Sequence, residues 1–162
     1  MSQETMDVQQ ILIEPFKSEY QDAVKNLILA GLTEHWGRVD PTLNSDLNDI
    51  STSYANATFL VARFEDRIIG TGALVPRSDQ VAEIVRMSVA ADMRRQGIGT
   101  KILEQLCQEA KYLGFQRIIL ETTSTWNEVI KFYKRFGFHI KHYQNGEFGG
   151  EVHFSLDLTL TE

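Results

Sequence analysis

Residues 81–121 constrain this chain more than any other stretch. A largely apolar strand over 81–89 leads through a basic, glycine-bearing turn into a helical pattern over 97–113. A second apolar run follows at 117–121. Ile98, Ile102, Leu103, Leu106, Cys107, Ala110 and Leu113 share one helical stripe, and Gly114 stands where a C-cap belongs. Two strands joined by one helix in one sheet must run parallel, with a right-handed crossover. The uninterrupted Ile118-Ile119-Leu120 run is that of a strand covered on both faces. Such a unit predicts an α/β or α+β domain with helices packed over a mixed sheet.

The rest of the chain supplies elements that fit around this unit. Residues 10–15 form a short first strand with Ile11 and Ile13 on one face. Residues 18–32 carry Tyr20, Ala23, Val24, Leu27, Ile28 and Leu32 at helical spacing. A polar loop is expected over 33–40, around Trp36. A weaker second helix is expected over 43–54, with Leu47 and Ile50 inward. Residues 58–63 and 67–75 form a hairpin about Glu65-Asp66. A short helix over 128–136 closes at Gly137. Two last strands, 138–143 and 152–158, flank a loop with Gly146, Gly149 and Gly150. The expected order is β-α-α-β-β-β-α-β-α-β-β, within a single domain over 1–162 and with residues 1–9 as a flexible terminus.

Composition narrows the functional classes. A chain of 162 residues with 43% hydrophobic and 23% charged residues sits with soluble globular domains, so it needs neither disulfide nor metal to fold. The net charge of −6 argues against a nucleic-acid coat. Cys107 is the sole cysteine and reads as a core thiol in a reducing compartment. Residues 1–10 lack the apolar run of a signal peptide or membrane span, so a cytoplasmic location is expected.

The chemistry concentrates at Arg94-Arg95-Gln96-Gly97-Ile98-Gly99-Thr100. The free N–H groups of a helix's first turn and its positive end form an anion site. Two arginines add full charge, and glycine lets a ligand approach the backbone. A dinucleotide fingerprint would need Gly or Ala where Ile102 stands, and a Walker A loop would need Gly-Lys-Ser/Thr where the order is Gly99-Thr100-Lys101. A phosphoryl-transfer enzyme would also need a lysine and metal ligands that this turn lacks.

The remaining pattern, Arg-x-x-Gly-x-Gly from Arg94 to Gly99, resembles the acyl-coenzyme A pyrophosphate loop of the GNAT superfamily of N-acetyltransferases. The preceding Ala82-Glu83-Ile84-Val85-Arg86-Met87-Ser88-Val89 is similar to that family's cofactor strand. Phe132-Tyr133-Lys134-Arg135-Phe136-Gly137-Phe138 is similar to its last helix and the strand after it. The resemblance is close over 81–138 and follows the element order across nearly the whole chain.

The resemblance implies a GNAT-like acyl-CoA N-acyltransferase fold with splayed central parallel strands that part near Met87 and Leu120. The pantetheine arm of acetyl-CoA would pair with the backbone of Met87, Ser88 and Val89. The pyrophosphate would lie on Arg94, Arg95, Gln96, Gly97, Ile98, Gly99 and Thr100. Glu83 would take the proton of the amine, and Tyr133 would protonate the departing thiolate. Members often carry Asn seven residues before that tyrosine. Here Trp126 stands there, and Asn127 is the substitute candidate one place on.

The expected activity is direct acetyl transfer, in a ternary complex, from acetyl-CoA to a primary amine. The alternative is a non-catalytic acyl-CoA-binding sensor, which would need neither Glu83 nor Tyr133. Glu34, Asp40, Asp46 and Asp49, with His35, Trp36 and Arg38 near them, point to a small basic amine or a lysine-like group of a protein as acceptor. His139 and His142 lack acidic or thiol partners at ligand spacing, so no metal is expected. Neither nucleic acid nor membrane is expected as partner, and a homodimer is compatible with the family it resembles.

Overall fold

A computed structural model of the chain describes residues 10–146 and 149–158. The expected flexible terminus, 1–9, lies outside the described residues. Strand β1 (Leu12–Pro15) and a 3-10 turn (Ser18–Tyr20) lead into helix α1 (Gln21–Trp36). A 3-10 segment (Pro41–Asn48) and helix α2 (Ile50–Ser53) come next. Strands β2 (Thr58–Phe64), β3 (Arg67–Pro76) and β4 (Val81–Val89) precede helix α3 (Ile98–Tyr112). Strand β5 (Arg117–Thr123), helix α4 (Asn127–Phe136) and strands β6 (His139–Gly146) and β7 (Gly149–Asp157) complete the order. The seven strands form one mixed sheet in the order β1-β2-β3-β4-β5-β7-β6. Among the described residues no helix is long and apolar enough to cross a membrane.

The parallel pair is present where the strand–helix–strand pattern demands it. Strands β4 and β5 pair at Val81↔Arg117, Ala82↔Ile118 and Glu83↔Ile119. Both strands run on beyond that last pair, while β5 continues against β7 as far as Thr123↔Glu151.

The chain forms two compact units. The first comprises residues up to Ala73 together with Arg86–Leu106, and the second Leu74–Val85 with Cys107 onward. In the first, the α3 stripe of Ile98, Ile102, Leu103 and Leu106 is buried, as are Val24 and Ile28 of α1. In the second, Ile118, Leu120, Val152, Phe154, Phe138 and Tyr133 form the core, and Cys107 is buried as expected.

Three local expectations need correction. Thr33, Glu34, His35 and Trp36 are not loop; they form the last turn of α1. The helix stops at Gly37, whose φ of 80° suits glycine and whose N–H reaches the Thr33 carbonyl at 2.7 Å. The second helix is not continuous. Asp40 and Asp49 each accept a nearby backbone N–H, from Thr42 and Thr52, and Asn44 leaves helical geometry, so the segment breaks into a 3-10 stretch and one α-turn. Leu47 and Ile50 are nevertheless fully buried. Gln21 ties this segment to α1: its side-chain amide donates to the Leu47 carbonyl at 2.7 Å and accepts from Ile50 N–H at 2.9 Å. Finally, Gly146, Gly149 and Gly150 lie within the ends of β6 and β7 rather than in a wide loop.

Candidate active site

The expected cofactor residues Met87, Ser88, Val89, Arg94, Arg95, Gln96, Gly97, Ile98, Gly99 and Thr100 all lie in the first unit. The first bond of helix α3 runs from Lys101 N–H to the Gly97 carbonyl at 3.0 Å. The N–H groups of Ile98, Gly99 and Thr100 stand ahead of it at the positive helix end. Arg95 and Gly97 both have left-handed backbone, at φ 64° and 82°. Such residues turn successive N–H groups into a concave anion nest. A Cβ added to Gly97 would meet nothing within 4 Å, so the space over this turn is open. Arg94, Arg95, Gln96 and Gly97 are exposed, and Ile98 is the buried anchor of the helix. This donor set fits a pyrophosphate.

Arg94 is held on both sides. Its Nε donates to the Val89 carbonyl at 3.2 Å, and its terminal nitrogens donate to the two Glu34 oxygens at 2.8 and 3.0 Å. The arginine holds the Glu34 carboxyl below the usual carboxylate range.

The strand that precedes the loop is irregular at Arg86, whose φ is 56°. A left-handed non-glycine residue inside a strand costs on the order of 1–3 kcal/mol, and surrounding contacts must hold it. Here the Thr71 hydroxyl, fully buried, donates to the Arg86 carbonyl at 2.8 Å. The guanidinium donates to Asp46 at 3.0 and 2.6 Å and to Asn44 at 3.1 Å, while the Tyr54 hydroxyl donates to Asp46 at 2.5 Å. Burial, the largest single influence, works against the charge of Asp46 and of Arg86. The bonds between them, and the one from Tyr54, outweigh it, so Asp46 titrates below its ordinary value and Arg86 above. Burial, with the Asp46 bond, pushes Tyr54 up to about 12. Beyond Arg86 the side chains divide. Met87 Sδ lies 2.6 Å from where a Cβ on Gly72 would be, beside Ile102 and Leu106 of α3, and Ser88 Oγ lies 3.4 Å from a Cβ on Gly31 of α1.

The second unit holds Glu83, Asn127 and Tyr133. Glu83 accepts from Arg77 Nε at 2.7 Å. On the same sheet face, two places beyond the Glu83↔Ile119 pair, Glu121 sits opposite His153. Its nearest carboxylate oxygen is 3.6 Å from His153 Nδ1, and a Glu151 oxygen is 3.5 Å from His153 Nε2. Burial first, then the charges of Glu151 and Glu83, raises the Glu121 carboxyl above its ordinary value. His153 is also stacked on His142 at 4.2 Å between centroids. Tyr133 is buried against Phe138 and Phe154, at 5.8 and 5.7 Å between centroids, and burial raises its hydroxyl pKa. That hydroxyl makes no hydrogen bond to the described residues, yet it is not among the fully buried unpaired polar atoms. Asn127 is exposed and opens α4 directly after its N-cap Trp126.

The Acetyltransferase (GNAT) family model matches residues 9–138, most of the chain. The chain belongs to the GNAT acetyltransferase family. Its sequence is 34% identical over 111 residues to a probable N-acetyltransferase camello of Xenopus tropicalis, in an alignment covering 65% of this chain and 51% of that protein. The chain therefore spans about half the length of that relative. Its fold matches a GNAT-family acetyltransferase from Staphylococcus aureus Mu50 with a TM-score of 0.81 at 21% identity, covering 91% of this chain and 99% of that one. A GNAT-family acetyltransferase from Elizabethkingia anophelis, solved with acetyl-CoA bound, matches with a TM-score of 0.71 at 20% identity, over 92% and 99% of the two chains.

Within this GNAT chain the acidic residues expected to form an acceptor mouth have other occupations. Glu34 grips Arg94, Asp46 grips Arg86, and Asp40 and Asp49 cap backbone turns. The features not foreseen are the Arg86–Asp46–Tyr54 network and the Glu121–Glu151–His153 cluster. Their signals were present: an arginine in the middle of a largely apolar central strand, and alternating Glu151 and His153 in a late strand. What the sequence lacked was the register that joins them to their partners.

Proposed function

We propose that this chain is an acetyl-CoA-dependent N-acetyltransferase, built as one GNAT domain, that acetylates a primary amine. The observation that carries this reading is the turn over 94–100: open space at Gly97, two left-handed residues, and N–H groups of Ile98, Gly99 and Thr100 ahead of the first helical bond of α3. Bound acetyl-CoA would supply an activated acyl group on sulfur. Arg95, Gln96, Gly97, Ile98, Gly99 and Thr100 would hold its pyrophosphate, with Arg94 joining them on release from Glu34. The backbone of Met87, Ser88 and Val89 would pair with the arm, and Asn127 is the proposed side-chain contact in place of the family asparagine.

Transfer is direct within a ternary complex. The amine nitrogen bonds to the acyl carbon, the carbon–sulfur bond breaks, and the nitrogen loses a proton. A free alkyl amine titrates near ~10.4 and is mostly protonated at neutral pH, so a base is needed. Glu83 is that base, directly or through water. Tyr133, kept neutral by burial, donates a hydrogen bond to the departing sulfur. The acceptor is a small basic amine or a lysine-like group. Support for its positive charge comes from the second unit, where Glu121 and Glu151 crowd one sheet face and an ammonium would relieve their repulsion.

Thiol release from acetyl-CoA across a panel of amines tests the reading, with coenzyme A binding followed by calorimetry. Gly97→Glu places a side chain and a negative charge in the nest and should abolish binding. Binding equal to wild type would remove the loop assignment. Tight cofactor binding with no thiol release from any amine would instead favour the sensor. Glu83→Gln should slow the reaction by on the order of 10²-fold at neutral pH and recover part of the rate at high pH, where free amine is abundant.

A further inference from the structure

We propose that Arg86 is a positioning residue for the cofactor arm. Its contacts with Asp46, Tyr54, Asn44 and Thr71 hold the left-handed turn in β4 that sets the direction of the backbone groups of Met87, Ser88 and Val89. The proposal rests on the reading that those three residues pair with the pantetheine arm.

Arginine has no intrinsic reason to adopt this conformation. Glycine adopts it freely, and asparagine or aspartate can support it with their own short side chains. At Arg86 the support comes from three separate stretches of chain. The Thr71 hydroxyl on β3 donates to the Arg86 carbonyl. The 3-10 segment contributes Asp46 and Asn44, which take both ends of the guanidinium fork. Tyr54, just past α2, fixes the remaining side of Asp46. A planar fork bound at two oxygens fixes orientation as well as distance. A peptide that follows a left-handed residue is rotated relative to one in an extended strand. The network therefore decides where the N–H of Met87 and the groups after it point. The arrangement survives across neutral pH, since Asp46 stays ionised and Tyr54 stays protonated.

The test compares two ligands by calorimetry: coenzyme A, and the coenzyme's own nucleotide diphosphate, which lacks the pantetheine arm. Asp46→Asn and Arg86→Lys should weaken coenzyme A by about tenfold, while the affinity for the nucleotide diphosphate stays within about twofold. Arg86→Gly loses the fork but takes the left-handed conformation without strain, so its loss should fall between wild type and Arg86→Lys. Thermal melting identifies variants that remain folded; if Arg86→Lys does not fold, Asp46→Asn and Tyr54→Phe carry the comparison. Equal weakening of both ligands would show a general structural role and overturn the proposal. So would undiminished coenzyme A binding in Asp46→Asn. A wild-type protein that binds neither ligand would instead overturn the proposed function.

Discussion

Glu34, in the last turn of α1, holds both terminal nitrogens of Arg94, at 2.8 and 3.0 Å. The same arginine is proposed to meet the pyrophosphate, so the carboxylate and the phosphate compete for one fork. Both partners are about half exposed, and a pair of this kind contributes roughly 0–1 kcal/mol. Glu34→Gln should therefore tighten coenzyme A binding by less than about fivefold. The gain should shrink as ionic strength rises, because salt screens the exposed pair. Calorimetry at low and high salt measures it. Weaker binding in Glu34→Gln would mean that Glu34 orients Arg94 for the ligand rather than occupying it.

Tyr133→Phe separates a chemical role from a packing role. Its hydroxyl has no hydrogen-bond partner among the described residues, and the ring is packed against Phe138 and Phe154. Removing a hydroxyl that makes no hydrogen bond to the described residues should leave the melting temperature nearly unchanged. A thiol titrates near ~8.5, so the thiolate leaves fairly well at neutral pH without a full proton transfer. Burial also makes Tyr133 a weaker acid, which suits a hydrogen-bond donor. The expected loss in kcat is less than about tenfold, below the usual range for a general acid. A loss of a thousandfold with an intact fold would require a larger role.

Much of the frame was legible because it rests on short-range pattern. The stripe on α3 and the continuous apolar run of β5 identify a parallel pair without any tertiary information, and β4 spans the expected residues. The last turn of α1 was harder to see, since Thr33, Glu34 and His35 are polar. That turn is kept helical by the glycine cap after it. The acidic residues of the first unit misled for a related reason. A carboxylate reads as surface charge until its partner is known, and Asp46 meets Arg86 across 40 positions of sequence. The same holds for Glu121, whose altered titration comes from burial, Glu151 and Glu83, groups on two other strands.

Glu121→Gln should stabilise the protein slightly at neutral pH, since about half of the Glu121 side chain is exposed and solvent screens its charge. The folded-state pKa of Glu121 is raised, by burial first and by Glu151 and Glu83 next, above the unfolded value near 4.5. In that window the folded state holds more protons than the unfolded state, so stability falls as pH rises through it. The penalty is present at neutral pH and absent below the unfolded value. Glutamine carries no charge and escapes it. Melting curves of wild type and Glu121→Gln should therefore diverge above the ordinary carboxylate range and converge in acid. Parallel curves at every pH would show that His153, 3.6 Å away, already offsets the repulsion. Glu151→Gln removes the stronger of the two charge effects and should lower the Glu121 titration toward its ordinary value.

Two glycines on β3 give a sharper test of how α3 packs on the first unit. A Cβ on Gly70 would lie 2.8 Å from Ile102 Cδ1 and 3.1 Å from Ile98 Cγ2. One on Gly72 would lie 2.8 Å from Ile102 Cγ2 and 2.6 Å from Met87 Sδ. Ile102 is fully buried and cannot move into solvent. Each alanine should cost about 1–3 kcal/mol through overpacking. The two differ in what relieves them. Ile102→Val deletes Cδ1 and keeps Cγ2, so it should recover part of the loss in Gly70→Ala and little of that in Gly72→Ala. Alone, Ile102→Val should cost about 0.5–1.5 kcal/mol. Urea unfolding of the singles and both doubles gives the two coupling energies. A favourable coupling for Gly70 with none for Gly72 is expected. Gly72→Ala should also displace Met87 and so weaken coenzyme A, whereas Gly70→Ala should not. Equal coupling at both sites would mean that α3 shifts as a body, and that the close approach at Gly72 does not fix the strand bearing Met87.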